Sequence, residues 1–377
     1  MPKRLRSRLP ASSLALTCLL GAVLPMVILG SEPIVPHRNV GKSTSPLPQF
    51  PVGDVGGVSY WEVTGFTGWL DTAPVAMKTR VVELLDRARA GDDQDWKYKV
   101  LAGWSHEVDL VLELSSDAQI RFVADMRRAK DLFLQIPRVV DRAPLESELS
   151  RCMTNVMKVL DHKCPSYFLM LEFRAYVKSC DGGVTKEVQD IFVQIRDERA
   201  RSFGIDGPMF ASDTENIAVC AFELGDLTGA REGLTKCLEI RERTNDMPAA
   251  MLQQTRLNLA AVDVKSGRYA EAIPVLTETL AKQTISVTRG NNTAAACYHF
   301  LGIAFAGTNQ FAEAADSFEK AIKEYHKFLH PAHPSVVKVM EDQAKFLEAA
   351  AQPEKAKELR SEIESLKAKW KAVGKQA

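Results

Sequence analysis

Apolar residues recur at helical spacing along most of the chain after Met77, and in the C-terminal half the whole pattern recurs at a longer interval. Setting Leu227, Tyr269, Phe311 and Pro353 in register aligns four segments without a gap, at a constant 42-residue interval. A fixed period of this size signals stacked supersecondary units. Three residues after these positions stand Ala230, Ala272, Ala314 and Ala356, and twelve before each alanine stand Ala218, Ala260, Gly302 and Ala344. Small residues thus recur where two helices must touch. Between them, Gly225-Asp226, Gly267-Arg268 and Asn309-Gln310 mark a turn, because Gly and Asn tolerate the positive φ that ends a helix. Leu234 and Leu238, Leu276 and Leu280, and Phe318 and Ile322 then form the apolar stripe that packs on the next unit. The unit is helix, tight turn, helix.

Upstream, helical runs are expected over 77–90, 95–114, 117–135, 146–161 and 166–180. Ser116-Asp117 reads as a start signal and Gly182-Gly183 as a stop. Trp96, Trp104, Phe133, Phe168 and Phe173 are expected in the core, where aromatics bury the most surface. Tyr60, Trp61, Phe66 and Trp69 suggest a short irregular segment before the first helix. At the N-terminus, Lys3, Arg4, Arg6 and Arg8 precede an uncharged stretch from Leu9 to Ser31, the order of an export signal or membrane anchor. Ile28-Leu29-Gly30 offers a small-residue cleavage site, so cleavage before Ser31 is expected. The proline- and glycine-bearing run over 31–57 reads as an extended linker.

The segments YAEAIPVL from Tyr269 and FAEAADSFEKAI from Phe311 resemble the second helix of a tetratricopeptide repeat, and Tyr298, Leu301, Gly302 and Phe305 match its first. The 42-residue unit, the run LEIRE from Leu238, Asn258-Leu259-Ala260 and His333-Pro334 resemble the kinesin light chain variety. The resemblance covers about Asp213 to Trp370. A weaker unit precedes it, since Gly183 and Phe192 fall one 42-residue period before Gly225 and Leu234. In the last unit Gln343 and Arg360 replace apolar residues, as suits a terminal cap. The resemblance implies an all-α, right-handed superhelical solenoid whose first helices line a concave groove for a protein or peptide. An asparagine before the small-residue position often clamps a peptide backbone in that variety, and Asn216 and Asn258 hold the place here. Phe300 and Asp342 interrupt the series. Glu223, Gln254, Lys265 and His299 would flank the groove.

Charge and chemistry narrow the function further. The chain has 48 basic and 48 acidic residues, so no overall field favours nucleic acid, and any membrane contact is expected only through an uncleaved N-terminal segment. None of the seven cysteines forms a CxxC pair; export would permit a disulfide among Cys152, Cys164 and Cys180. His326, His330 and His333 form an H-x3-H-x2-H cluster, but no glutamate stands between the first two, and the following prolines fall where units break. No metal site is therefore expected, and Cys152, His162 and Cys164 lack a fourth ligand. Neither a Gly-rich phosphate loop nor a GxSxG elbow occurs, so neither cofactor nor catalysis is expected. The organisation expected is a signal or anchor over 1–30, a linker over 31–57, a helical region over 58–205, the repeat array over 206–371 and a short tail over 372–377. The function expected is a non-catalytic interaction scaffold outside the cytoplasm. Its rivals are a hydrolase or metal-dependent enzyme built from 58–210, which a cluster of polar residues in a pocket there would support, and a self-associating envelope spacer.

Overall fold

The computed structural model describes residues 74–90, 95–135, 143–182, 184–244, 247–283 and 291–373. The expected signal or anchor, the linker and the aromatic segment at Tyr60–Trp69 lie outside them. Among the described residues there are fourteen helices and no strand. They are α1 (Pro74–Arg89), α2 (Trp96–Leu112), α3 (Ser116–Gln135), α4 (Ala143–Met157), α5 (Pro165–Gly182), α6 (Lys186–Phe203), α7 (Pro208–Leu224), α8 (Leu227–Arg243), α9 (Ala249–Lys265), α10 (Tyr269–Ala281), α11 (Asn292–Gly307), α12 (Phe311–His326), α13 (Pro334–Ala349) and α14 (Pro353–Val373). None is long and apolar enough to cross a membrane.

Consecutive helices pack as antiparallel pairs, beginning with α1 on α2 and ending with α13 on α14. The fold is the expected all-α solenoid of helical hairpins. First helices of successive units also pack on one another, α7 on α9, α9 on α11 and α11 on α13. The small residues sit where the period placed them. Ala218, Ala260 and Ala344 are at most 2% exposed, and Ala230, Ala272, Ala314 and Ala356 at most 1%. At Gly302 an added Cβ would lie 2.9 Å from the Phe318 ring, so this unit needs the smallest residue of all.

Each turn closes in the same way. Asp226 N donates to Ala221 O, Arg268 N to Asp263 O, Gln310 N to Phe305 O and Gln352 N to Leu347 O, all at 2.8–2.9 Å. This is the Schellman closure, which satisfies carbonyls left over at a helix end and requires one residue of positive φ. That residue is Gly225, Gly267, Asn309 and Ala351, at φ 89°, 77°, 61° and 57°. The last continues the 42-residue series with an alanine, a side chain the turn composition did not suggest.

Two large cores fill the stack, one running from α1 to α9 and one from α9 to α14. Phe300 packs against both, so the residue that interrupts the asparagine series joins the two cores. In the N-terminal core Trp104, Phe133, Phe168 and Phe173 are buried as expected, with Phe133 and Phe173 stacked at 4.1 Å. Trp96 is half-buried against the same core. On the terminal helix α14, Arg360 is exposed and pairs with Glu348 of α13 at 2.8 Å, consistent with a cap.

Candidate functional site

Helix α7 is buried on nearly every side, although it carries Ser212, Asp213, Thr214, Glu215 and Asn216 in succession. Burying such groups is costly unless each finds a partner. Two arginines that occupy one repeat position supply most of them. Arg199 of α6 pairs with Asp213 at 2.6 Å and with Glu172 of α5. Arg241 of α8, one period later, forms an ion pair with Glu215 at 2.6 Å and donates to Ser212 Oγ at 3.1 Å and to Thr255 Oγ1 of α9. Each arginine therefore ties its own first helix to the next one. Sequence reading missed both, because an isolated charge on a helix reads as solvated; their common repeat position was the available signal.

The groove candidates lie on the first helices but differ in what they touch. Asn258 is 1% exposed; its Nδ2 donates to Glu215 Oε1 at 2.9 Å, and its Oδ1 accepts from Gln254 Nε2 at 2.9 Å. Asn258 and Gln254 thus join the Arg241 network inside the stack. Asn216 is also buried, without a side-chain hydrogen bond among the described residues. His299, 1% exposed, places Nε2 3.1 Å from Asp342 Oδ2, and Lys338 and Lys345 also reach that carboxylate. These partners hold the Asp342 carboxyl well below its usual range despite burial. Asp342, which interrupts the asparagine series, is thus the partner of another groove candidate.

Lys265 is exposed and holds its Nζ 4.5 Å from the centre of the Phe222 ring. Beside it, burial pushes the Glu223 carboxyl up to about 7, against the pull of Lys265 and Lys338. His326, His330 and His333 are not gathered around a common point. His330 Nδ1 accepts from Ala332 N and His333 Nδ1 from Ser335 N, both at 3.1 Å, so these rings shape the turn into α13. Cys152 and Cys164 are buried free thiols, and nothing is described of the Cys180 side chain.

A cavity of about 820 Å³ opens between α2, the α4–α5 connection, α5 and α6, bordered by Lys99, His106, Lys163, Tyr167, Glu198 and Arg201. Its wall forms because α2 approaches the connection closely at Gly103, where an added Cβ would stand 2.7 Å from the Phe203 ring and 2.8 Å from the Lys163 carbonyl. Ser202 Oγ secures the connection from the α6 side by donating to His162 O at 2.9 Å. One turn after Gly103, His106 Nε2 lies 2.9 Å from Asp161 Oδ2. Asp161 Oδ1 accepts from Lys163 N at 2.8 Å and from Cys164 Sγ at 3.6 Å. Behind them Glu107, fully buried, accepts from Ser166 N at 3.0 Å, and burial pushes its carboxyl up to about 7. No period marks this group along the chain, since His106 stands 55 residues before Asp161.

Residues 249–325, which span α9 to α12, match the tetratricopeptide repeat family. Among curated proteins none matches the chain. Two solved structures of putative kinesin light chain TPR-like repeats from Podosopora anserina, one of them a point-substituted form, are similar to it at 22% identity. They superpose with TM-scores of 0.43 for the substituted form and 0.42 for the other, covering 56% and 54% of this chain and 99% and 97% of theirs. Residues 249–325, two of the hairpins spaced at the 42-residue period expected from the sequence, thus carry tetratricopeptide repeats.

Proposed function

We propose that the array is a non-catalytic scaffold, held outside the cytoplasm, that takes a protein or peptide along its first helices. The observation that carries this reading is the direct packing of α7, α9, α11 and α13 on one another, which makes a continuous wall from separate units. Of the first-helix residues, Lys265 is exposed, and Asn216, itself buried, keeps an amide that no other described side chain engages. Paired donor and acceptor groups of this kind suit a peptide backbone. Export rests on the basic and apolar order of residues 3–31.

The test is affinity capture with the chain from Ser31 onward, compared with the Asn216→Ala, Lys265→Glu double variant. Capture of a defined protein by the parent chain, reduced at least tenfold in the folded variant, is the expected result. Equal capture by both would remove the groove from the reading. A second reading, an exported hydrolase or metal-dependent enzyme, is favoured by the ionisable side chains His106, Lys163, Glu198 and Arg201 around the cavity between α2, α5 and α6. Hydrolysis of simple ester or phosphoester substrates, lost in His106→Ala, would decide for it.

A further inference from the structure

We infer that His106, Asp161 and Cys164 form a binding site for a zinc-class divalent metal ion at the edge of the cavity. Among the described residues these three bring imidazole, carboxylate and thiol atoms within 4.8 Å of one another. The individual separations are 2.9 Å between His106 Nε2 and Asp161 Oδ2 and 3.6 Å between Cys164 Sγ and Asp161 Oδ1. Tetrahedral zinc, with bonds of about 2.0–2.3 Å, sets its ligand atoms roughly 3.3–3.7 Å apart. An ion can therefore enter with small side-chain adjustments.

The three donors line a pit that is closed below and open above. Cys164 is fully buried and forms the floor, while the His106 and Asp161 side chains are 34% and 42% exposed and form the mouth. Glu107 lies against the thiol side, fully buried, and its Oε1 has no hydrogen-bond partner among the described residues. The Glu107 and Asp161 carboxyls and the Cys164 thiol thus lie together beside the His106 imidazole, with Lys99, Lys163 and Arg201 further along the cavity border. The α4–α5 connection that carries two of the ligands is held by Ser202 and by the close approach at Gly103, so the set is positioned before any ion arrives.

The donor set selects the class of metal. Sulfur with nitrogen and one oxygen suits zinc, cobalt and related ions, whereas calcium and magnesium take oxygen ligands. Three protein ligands leave the fourth tetrahedral position for water or for a molecule in the cavity. A thiol nucleophile activated by histidine fits less well, because Asp161 stands between His106 and Cys164 and the thiol donates to the carboxylate. The assignment is independent of whether the array acts as a scaffold.

The test titrates the full chain with cobalt(II) under reducing, anaerobic conditions and reads the thiolate-to-cobalt charge-transfer band. The expected result is one equivalent per chain, displaced by zinc. Cys164→Ser should abolish the charge-transfer band, and His106→Gln and Asp161→Asn should each weaken cobalt binding at least tenfold. Cys152→Ser, which removes a buried thiol outside the site, should leave the titration unchanged. Circular dichroism establishes that each variant is folded, and His106→Gln, at a half-exposed position, remains informative if Cys164→Ser is not. Absence of the band in the folded parent chain, or its survival in Cys164→Ser or unweakened binding in His106→Gln, would overturn the assignment.

Discussion

Asn258 Nδ2 donates to Glu215 Oε1 at 2.9 Å across a sequence separation of 43 residues. The same offset relates His299 to Asp342 at 3.1 Å and Phe222 to Lys265 at 4.5 Å. A residue on one first helix thus meets the residue one period and one position later on the next. Glu215 is also the ion-pair partner of Arg241, both fully buried. Removing one member of a buried pair leaves an uncompensated charge and costs about 3–5 kcal/mol, whereas replacing both with apolar residues is often near neutral. Arg241→Ala is expected to lower the urea midpoint by a corresponding amount, and Arg241→Met combined with Glu215→Leu to recover most of it. A small loss in Arg241→Ala would show that the pair contributes little.

Ala351 occupies the turn position that Gly225 and Gly267 fill elsewhere, at φ 57°. Left-handed backbone costs an L-residue about 1 kcal/mol or more, and glycine avoids that cost. Ala351→Gly should therefore raise stability by about 1 kcal/mol despite the greater freedom of glycine in the unfolded chain. Thermal unfolding of the two proteins measures it, and a lower midpoint in the variant would count against the turn geometry.

At Gly103 a methyl group meets both the Phe203 ring and a backbone carbonyl, and the carbonyl has little room to yield. Gly103→Ala is expected to destabilise by about 1–3 kcal/mol, the range for overpacking. It should also disturb the 160s connection, read as faster amide exchange at Lys163 and Cys164. Unchanged exchange there would mean that the two elements are not braced against each other.

Burial raises the Glu223 carboxyl from 4.5 to about 7. The native state therefore holds this proton more tightly than the unfolded chain does. The resulting stability is complete below about 4.5 and is lost as pH rises toward 7. The difference amounts to about 3 kcal/mol at most. Glu223→Gln should flatten the fall in the urea midpoint between about pH 5 and 7. An equal slope in both proteins would assign the pH dependence to other groups.

The period made the hairpins legible because packing constraints repeat. Ala218, Ala260, Gly302 and Ala344 are small for one shared reason, and the turn residues share another. What the period hid was chemistry that differs from unit to unit. Asp342 reads as a break in the asparagine series until its contact with His299 is seen, and Phe300 until it is found between two cores. Asn258 lies on a first helix, but its amide is engaged by Glu215 and Gln254, a fact that depends on a neighbour 43 residues away. The cluster of His106, Asp161 and Cys164 comes from the non-periodic region, where only tertiary packing brings α2 to the α4–α5 connection.

The 43-residue offset also means that the units are not interchangeable parts. Excising one period, residues 249–290, would preserve the spacing of helices, small residues and turns. It would nevertheless set Phe300 opposite Glu215 and Cys297 beside Arg241, in place of Asn258 and Thr255. Each junction accepts one neighbour because amide, ring and imidazole contacts follow one another without repetition. The order of the hairpins is thereby written into the joints between them, and a shortened or shuffled array would keep its outline while leaving Arg241 and Glu215 short of the hydrogen bonds that Thr255 and Asn258 supply.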